Sequence, residues 1–187
     1  MKMLIACEYS GKVRDAFLKK GHDVISCDIL PTERPGPHYQ GDVRDIINQP
    51  FDKIIAFPSC TFICNSGVRW LKNNPERWLE LRKACGFFCM FLYHKCEKVV
   101  IENPIPHKHA LKYIGLKYDQ LIQPWQFGHG ETKATCLWLK GVNKLEPSNI
   151  VEGREQRIWK MTPSANRAKL RSETFQGIAD AMAEQWG

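Results

Sequence analysis

What most restricts the fold is a series of short apolar runs, each stopping at a polar or proline-bearing turn and followed by a helical pattern. Lys2 to Cys7 is strand-like and ends at Glu8, and Val13 to Lys20 fits an amphipathic helix that stops at Gly21, a natural C′ residue. Asp23 to Cys27 reads as a second strand ending at Asp28, and Lys53 to Phe57 as a third, closed by Pro58. Leu30 to Gly41, rich in proline and glycine, reads as a loop. Asn74-Pro75-Glu76 makes a helix start. Trp78, Leu81, Cys85, Phe88, Cys89 and Leu92 then recur on one face of a helix running to about Lys95. Lys98 to Ile101 is a fourth strand, ended by Glu102-Asn103-Pro104.

Strands alternating with helices in this rhythm predict a doubly wound, mostly parallel α/β sheet, Rossmann-like in class. Such sheets hold ligands in the crevice at the carboxyl ends of their strands, so Glu8, Asp28, Cys60 and Glu102 are expected at one rim. Leu121 to Gln123 and Ala134 to Leu139 then read as an antiparallel hairpin at one sheet edge. Gly141 to Leu170 is polar and irregular, and Ser172 is the expected N-cap of a closing helix that reaches Trp186. There is no repeat, low-complexity tract or composition break, so residues 1–187 are expected to form one catalytic-type domain.

No apolar run approaches the roughly 18 residues that span a bilayer, and the opening apolar run is shorter than a signal peptide. The eight cysteines are too dilute and irregular for a disulfide scaffold, which makes most of them reduced core thiols of a cytoplasmic protein. The net charge of +7, from 27 basic and 20 acidic residues, favours a polyanionic partner such as nucleic acid. Arg154, Arg157, Lys160, Arg167, Lys169 and Arg171 form a basic string around Trp159 that could track a phosphate backbone, or could equally be a solvated surface loop.

Two motifs carry chemistry. Ala56-Phe57-Pro58-Ser59-Cys60-Thr61-Phe62 ends on a cysteine, and Ile101-Glu102-Asn103-Pro104 on a glutamate. A thiolate and a carboxyl delivered from neighbouring strand ends suit attack on a pyrimidine ring together with control of its ring-nitrogen proton. The bare alternatives are a buried structural thiol at Cys60 and a turn cap at Glu102. Arg69 and Lys133 are the candidates for lowering the Cys60 pKa. Asp28 follows Gly11 at close to the roughly 20-residue separation of the acidic residue that binds ribose hydroxyls in nucleotide-type folds. Cys60-x-x-x-Cys64 and His107-x-His109 match no zinc framework, and the first pair misses the spacing of the zinc deaminases, so no metal is expected.

In sequence order these motifs resemble the S-adenosylmethionine-dependent cytosine-C5 methyltransferases. Ala6-Cys7-Glu8-Tyr9-Ser10-Gly11 followed by Gly21-His22-Asp23-Val24 looks like that family's first motif. Phe57-Pro58-Ser59-Cys60 resembles its Pro-Cys nucleophile loop, and Glu102-Asn103-Pro104 its Glu-Asn-Val motif. Phe127-Gly128 through Lys133 to Leu139 is similar in placement to its basic motif on a later strand. The whole chain is also similar to short phage- and prophage-type members. The resemblance implies a Cys60 nucleophile that adds to C6 of cytosine, a Glu102 carboxyl at N3, and Lys133 near the target base or its phosphate. For the cofactor it implies Glu8 and Ser10 at the methionine end, Gly11, Asp28 and Pro58 along the site, and Asp42 at the adenine. Only Gly11 survives of the first motif's glycines, Ser59 replaces a second proline, and Thr61 stands where glutamine is common. Few residues separate Leu139 from the last helix, too few for the family's target-recognition domain. Recognition of a DNA sequence would then be weak, come from a protein partner, or be unnecessary. A free deoxycytidine nucleotide stays open as substrate, as does a binding protein that has lost catalysis.

Overall fold

In the computed structural model, which describes residues 1–164 and 167–187, the chain builds one seven-stranded sheet. In chain order the elements are β1 (Lys2–Ala6), α1 (Lys12–Lys19), β2 (Asp23–Asp28), β3 (His38–Gln40), β4 (Lys53–Ala56), α2 (Pro75–Leu92), β5 (Lys98–Pro104), α3 (Lys108–Ile114), β6 (Gln120–Ile122), β7 (Thr135–Lys140), α4 (Arg157–Lys160), α5 (Arg167–Ser172) and α6 (Gln176–Trp186). Short 3₁₀ helices lie at Val43–Asp45, Asn65–Leu71 and Pro124–Gln126. The strand order is β3-β2-β1-β4-β5-β7-β6, and β7 alone runs against its neighbours. The expected doubly wound sheet with an antiparallel hairpin at one edge is present.

Alternation along the strands divides the core into two layers. Leu4, Ala6, Ile54, Ala56, Val99, Ile101, Cys136 and Trp138 face α2 and α3, where Leu81, Cys85, Phe88, Phe91, Ala110 and Ile114 close the layer. Met3, Ile5, Ile55, Val100, Ile122 and Leu137 face α1 and α6, where Phe17, Ile178, Met182 and Trp186 pack. Strands apolar on both faces are the signature of a sheet covered on both sides. One polar intruder is Lys53 at the start of β4, buried beside Lys98, whose pKa desolvation lowers to about 8.

Several sequence expectations are corrected. The stretch read as a loop from Leu30 to Gly41 contains β3, paired to the outside of β2. It is drawn in by Arg14, wholly buried, which donates to Thr32 Oγ1 (3.1 Å), the Arg34 carbonyl (3.0 Å) and the Pro35 carbonyl (3.3 Å). Ser26 adds a backbone bond to Pro37 and a side-chain bond to His38. The fourth strand does not stop before Glu102 but continues through Pro104, because β7 pairs with it along that length: Glu102 with Leu137, Asn103 with Cys136, Pro104 with Thr135. The closing helix begins at Gln176 with Phe175 at its N-cap, not at Ser172. The Ser172 hydroxyl donates instead to the Lys169 carbonyl at 2.7 Å, at the end of α5. The helix over 75–92 begins as expected, with the Asn74 carboxamide accepting from Arg77 N at 3.0 Å, and ends at Leu92, short of Lys95. Of the stretch expected to be irregular before the last helix, 165–166 lie outside the described residues. Among the described residues no helix is long and apolar enough to cross a membrane.

Candidate active site

The strand order reverses direction between β1 and β4, and the helices that follow them, α1 and α2, lie on opposite faces. That leaves a crevice at the carboxyl ends of these two strands. The chain leaving β4 enters it as Phe57-Pro58-Ser59-Cys60. The Cys60 carbonyl accepts from both Ile63 N and Cys64 N at 3.0 Å, so Cys60 opens a single tight turn. The loop is held from β5, where Asn103, 1% exposed, donates its amide to the Pro58 carbonyl at 2.7 Å. Pro58, expected among the cofactor contacts, is buried and supplies this anchor.

Cys60, Glu102 and Lys133 come together. The Glu102 and Lys133 charges both act on the Cys60 thiol, and each acts on the other. Burial pushes the Glu102 carboxyl up, and Lys133 and the Thr135 hydroxyl pull it back only in part. Burial likewise pushes the Lys133 ammonium down, against the pull of Glu102 and Cys60. Lys133 Nζ donates to the Glu173 carbonyl at 2.9 Å, and its backbone N–H to Gln123 Oε1 at 3.0 Å. Its position follows from β7: a strand antiparallel to β5 starts at the rim where β5 ends, and Lys133 lies two residues ahead of it. Lys12 Nζ meets Glu173 Oε2 at 2.7 Å and the Tyr9 hydroxyl meets Ser172 Oγ at 3.2 Å, so the α5–α6 link ties the Lys133 side of the rim to the chain after β1.

The Cys60 thiol contradicts one expectation. Its pKa is pushed up, first by a hydrogen bond with Cys64, then by burial and the Glu102 charge, with Lys133 opposing. Arg69 has no part in this; its guanidinium lies over the Trp70 ring at 4.7 Å. Cys64 moves the other way, to about 5, because Cys60, the Ser66 hydroxyl (2.9 Å) and the backbone N–H groups of Ser66 and Gly67 all stabilise its thiolate. Of the two thiols, Cys64 is the one whose surroundings favour the thiolate.

The expected cofactor residues line the same rim beyond β1 and β2. Glu8, 5% exposed, accepts a short hydrogen bond from Ser10 through Oε1, while its buried Oε2 has no partner. Burial raises its pKa against the pull of Ser10, Arg14 and the Lys12 and Val13 N–H groups at the start of α1. Gly11 sits at φ +73°, and a Cβ there would lie 2.6 Å from Nη2 of Arg14, so only glycine fits. Asp28, also raised by burial, accepts from Leu30 N at 2.9 Å. Asp42 caps the 3₁₀ helix Val43–Asp45 by accepting from Arg44 N at 2.9 Å. Both aspartates lie near enough to Cys7 for their charges to push up its thiol, after burial.

The structure adds residues to this rim that sequence reasoning passed over. Cys64 was visible only as half of a failed metal pair; the signal was its place one helical turn after Cys60. Asn103 was visible as the companion of Glu102, without its tether to Pro58. Cys7, at φ +59°, turns the chain from β1 into the crevice. Ile29, directly after Asp28, leaves 75% of an apolar side chain in solvent at the rim. Of the basic string, Arg157 pairs with Glu131 at 2.9 Å, Lys169 with Glu33, and Arg154 lies over the Trp125 ring at 3.9 Å.

Neither a family model nor a curated protein matches the sequence. Among solved structures the chain is similar to the methyltransferase EhMeth of Entamoeba histolytica, with a TM-score of 0.51 at 15% identity, over 84% of this chain and 58% of that one. The chain thus spans less than two thirds of that protein's length, and what the two share is the fold: a mixed, mostly parallel sheet of methyltransferase type.

Proposed function

We propose that this protein is an S-adenosylmethionine-dependent methyltransferase acting at C5 of cytosine in DNA. The observation that carries this reading is the meeting of Cys60, Glu102 and Lys133 at the strand-carboxyl rim beside the crevice of Glu8, Asp28 and Asp42. The crevice residues fit the cofactor by charge. A carboxyl already occupies the start of α1, which disfavours a ligand phosphate there, and the unpartnered Glu8 oxygen suits an ammonium. Asp28 would take the ribose hydroxyls, Asp42 the adenine edge, and Ile29 offers an apolar face. S-adenosylmethionine bound there supplies an electrophilic methyl group on a cationic sulfur.

This chain's own residues perform the remaining steps. Cys60 sulfur adds to C6 of the ring, and its proton passes to Cys64 within the thiol pair. Glu102, whose pKa burial raises, gives its proton to N3 as charge builds on the ring. C5 becomes nucleophilic and takes the methyl group. Loss of the C5 proton to solvent and expulsion of Cys60 restore the ring, with Glu102 and Cys60 recovering their protons.

The test is covalent trapping. With fluorine at C5 the last elimination is blocked, so DNA carrying 5-fluorocytosine should form an adduct through Cys60 in the presence of cofactor. Cys60→Ser should abolish trapping and turnover, since a serine hydroxyl is almost fully protonated at neutral pH. A Cys60→Ser protein that still methylates cytosine would sink the mechanism. In a parallel titration, Asp28→Ala should weaken S-adenosylmethionine binding by about 1–3 kcal/mol.

A further inference from the structure

We propose that the face formed by the 3₁₀ helix Asn65–Leu71, the first turns of α2 and Tyr113 binds single-stranded nucleic acid and leads it to Cys60. Three arginine–aromatic pairs lie along this face. Arg77 places its guanidinium 4.9 Å from the Phe62 ring and donates to the Thr61 carbonyl at 3.3 Å, on the Cys60 turn itself. Arg69 lies 4.7 Å from the Trp70 ring, and Trp70 is 56% exposed. Arg82 donates to the Tyr113 hydroxyl at 3.1 Å with its guanidinium 5.7 Å from that ring. The 3₁₀ helix starts at the residue after Cys64, so Trp70 stands about 12 Å from the thiol pair at the usual rise.

Position favours this face over the basic string near the C-terminal end, since Arg77 is bonded to the Cys60 turn itself. Among the described residues, Arg69, Arg77 and Arg82 make no ion pair; in the basic string Arg157 and Lys169 are paired with Glu131 and Glu33, while Arg154, Lys160 and Arg171 make none. The acidic residues on the same helix are Glu76 and Glu80, and Glu80 is paired with Lys83 at 2.8 Å. Guanidiniums free to meet phosphates, alternating with exposed rings, are the elements of a strand-binding surface. The partner must be single-stranded, because bases stacked within a duplex have no face to offer Trp70 or Tyr113. An unpaired strand also delivers its cytosine without the cost of flipping it from a duplex. The inference rests on the cytosine reading only for what reaches Cys60; strand binding stands by itself.

The experiment is anisotropy of the full chain with a fluorescein-labelled DNA strand of about 20 nucleotides, longer than one typical site, and with the same strand as a duplex. The single strand should bind more tightly than the duplex. Trp70→Ala, an exposed position, should weaken it about tenfold with unchanged thermal unfolding, the order of one lost base stack. Arg69→Gln with Arg82→Gln should flatten the salt dependence of binding, while Trp159→Ala with Lys160→Gln should leave both affinity and slope unchanged. Equal affinity of the Trp70→Ala protein, preference for the duplex, or loss confined to the Trp159→Ala, Lys160→Gln protein would each overturn the proposal. Strand binding that depends on Trp70 in a protein unable to methylate would leave this inference standing and remove the methyltransferase reading. Methylation of single-stranded DNA by a protein whose strand affinity is unchanged in Trp70→Ala would do the reverse.

Discussion

Asn103 donates its side-chain amide to the Pro58 carbonyl across 2.7 Å, joining the strand that carries Glu102 to the loop that carries Cys60. The bond ties together the two segments that carry the groups proposed to react, without involving either group. Asn103→Ala should cost about 1–3 kcal/mol of stability, the scale for a buried hydrogen-bonding group left without its partner. Turnover should fall more than that loss explains, because a small displacement of a reacting group is expensive. Denaturant unfolding and single-turnover methylation on the same protein check this, and a variant with normal turnover would show that the tether does not position the site.

The acid role of Glu102 has a definite pH sign. If Glu102 is the acid of the proposed reaction, the rate should fall as pH climbs through its pKa, which burial raises. Lys133 lowers the Glu102 pKa, so Lys133→Met should move the alkaline limb of kcat to higher pH, even as it lowers the plateau. A limb that moves to lower pH, or stays in place, contradicts the assignment.

The thiol pair predicts an order of chemical labelling. Cys64 titrates at about 5, so iodoacetamide near pH 6 should alkylate Cys64 first, with Cys60 following only at alkaline pH. The Cys64 hydrogen bond is the largest cause of the raised Cys60 pKa. In Cys64→Ser, Cys60 should therefore label at lower pH than it does beside Cys64. Peptide mass spectrometry reads both.

Which of these groups could be read from sequence depended on whether their neighbours were local. Glu8, Asp28 and Cys60 were legible at the rim because each follows a short apolar run, and a parallel sheet sends all such run-ends to one side. Glu102 was assigned to the right rim but wrongly placed beyond its strand, since the extension to Pro104 depends on β7, which arrives about 30 residues later. The electrostatics were hardest to read: Arg69, near Cys60 in sequence, points to Trp70, while the effective cation, Lys133, comes from the far end of the sheet. The Ser172 cap failed for a similar reason, since its hydroxyl found the Lys169 carbonyl in α5, a short helix with too weak a pattern to predict.

Lys53 offers a test of the fold apart from the site. Its pKa in the folded state is lowered to about 8 by burial, below that of the unfolded chain, so the unfolded state binds more protons between that value and about 10.5. The penalty is complete below pH 8 and is relieved as pH rises through this window. Lys53→Met should raise Tm at pH 7 by about 2–4 °C, the response to roughly 1 kcal/mol in a chain of this length, and should raise it less near pH 10. Calorimetry at the two pH values checks the sign.

Because β7 enters the sheet against its neighbours, the order in which the site is assembled is written into the chain. Once the first 106 residues have emerged during synthesis, β1, β4 and β5 can pair, and the thiol and carboxyl have their places. Lys133 joins them only when β7 docks on β5, and its ammonium is secured only when Glu173 arrives ahead of α6. A nascent or truncated chain can thus hold two of the three groups and lack the third, and competence for the proposed chemistry would be a late event in the folding of the molecule. Fragments split between β5 and α3 would each lack a complete site, and re-docking β7 along β5 is the step that would restore it.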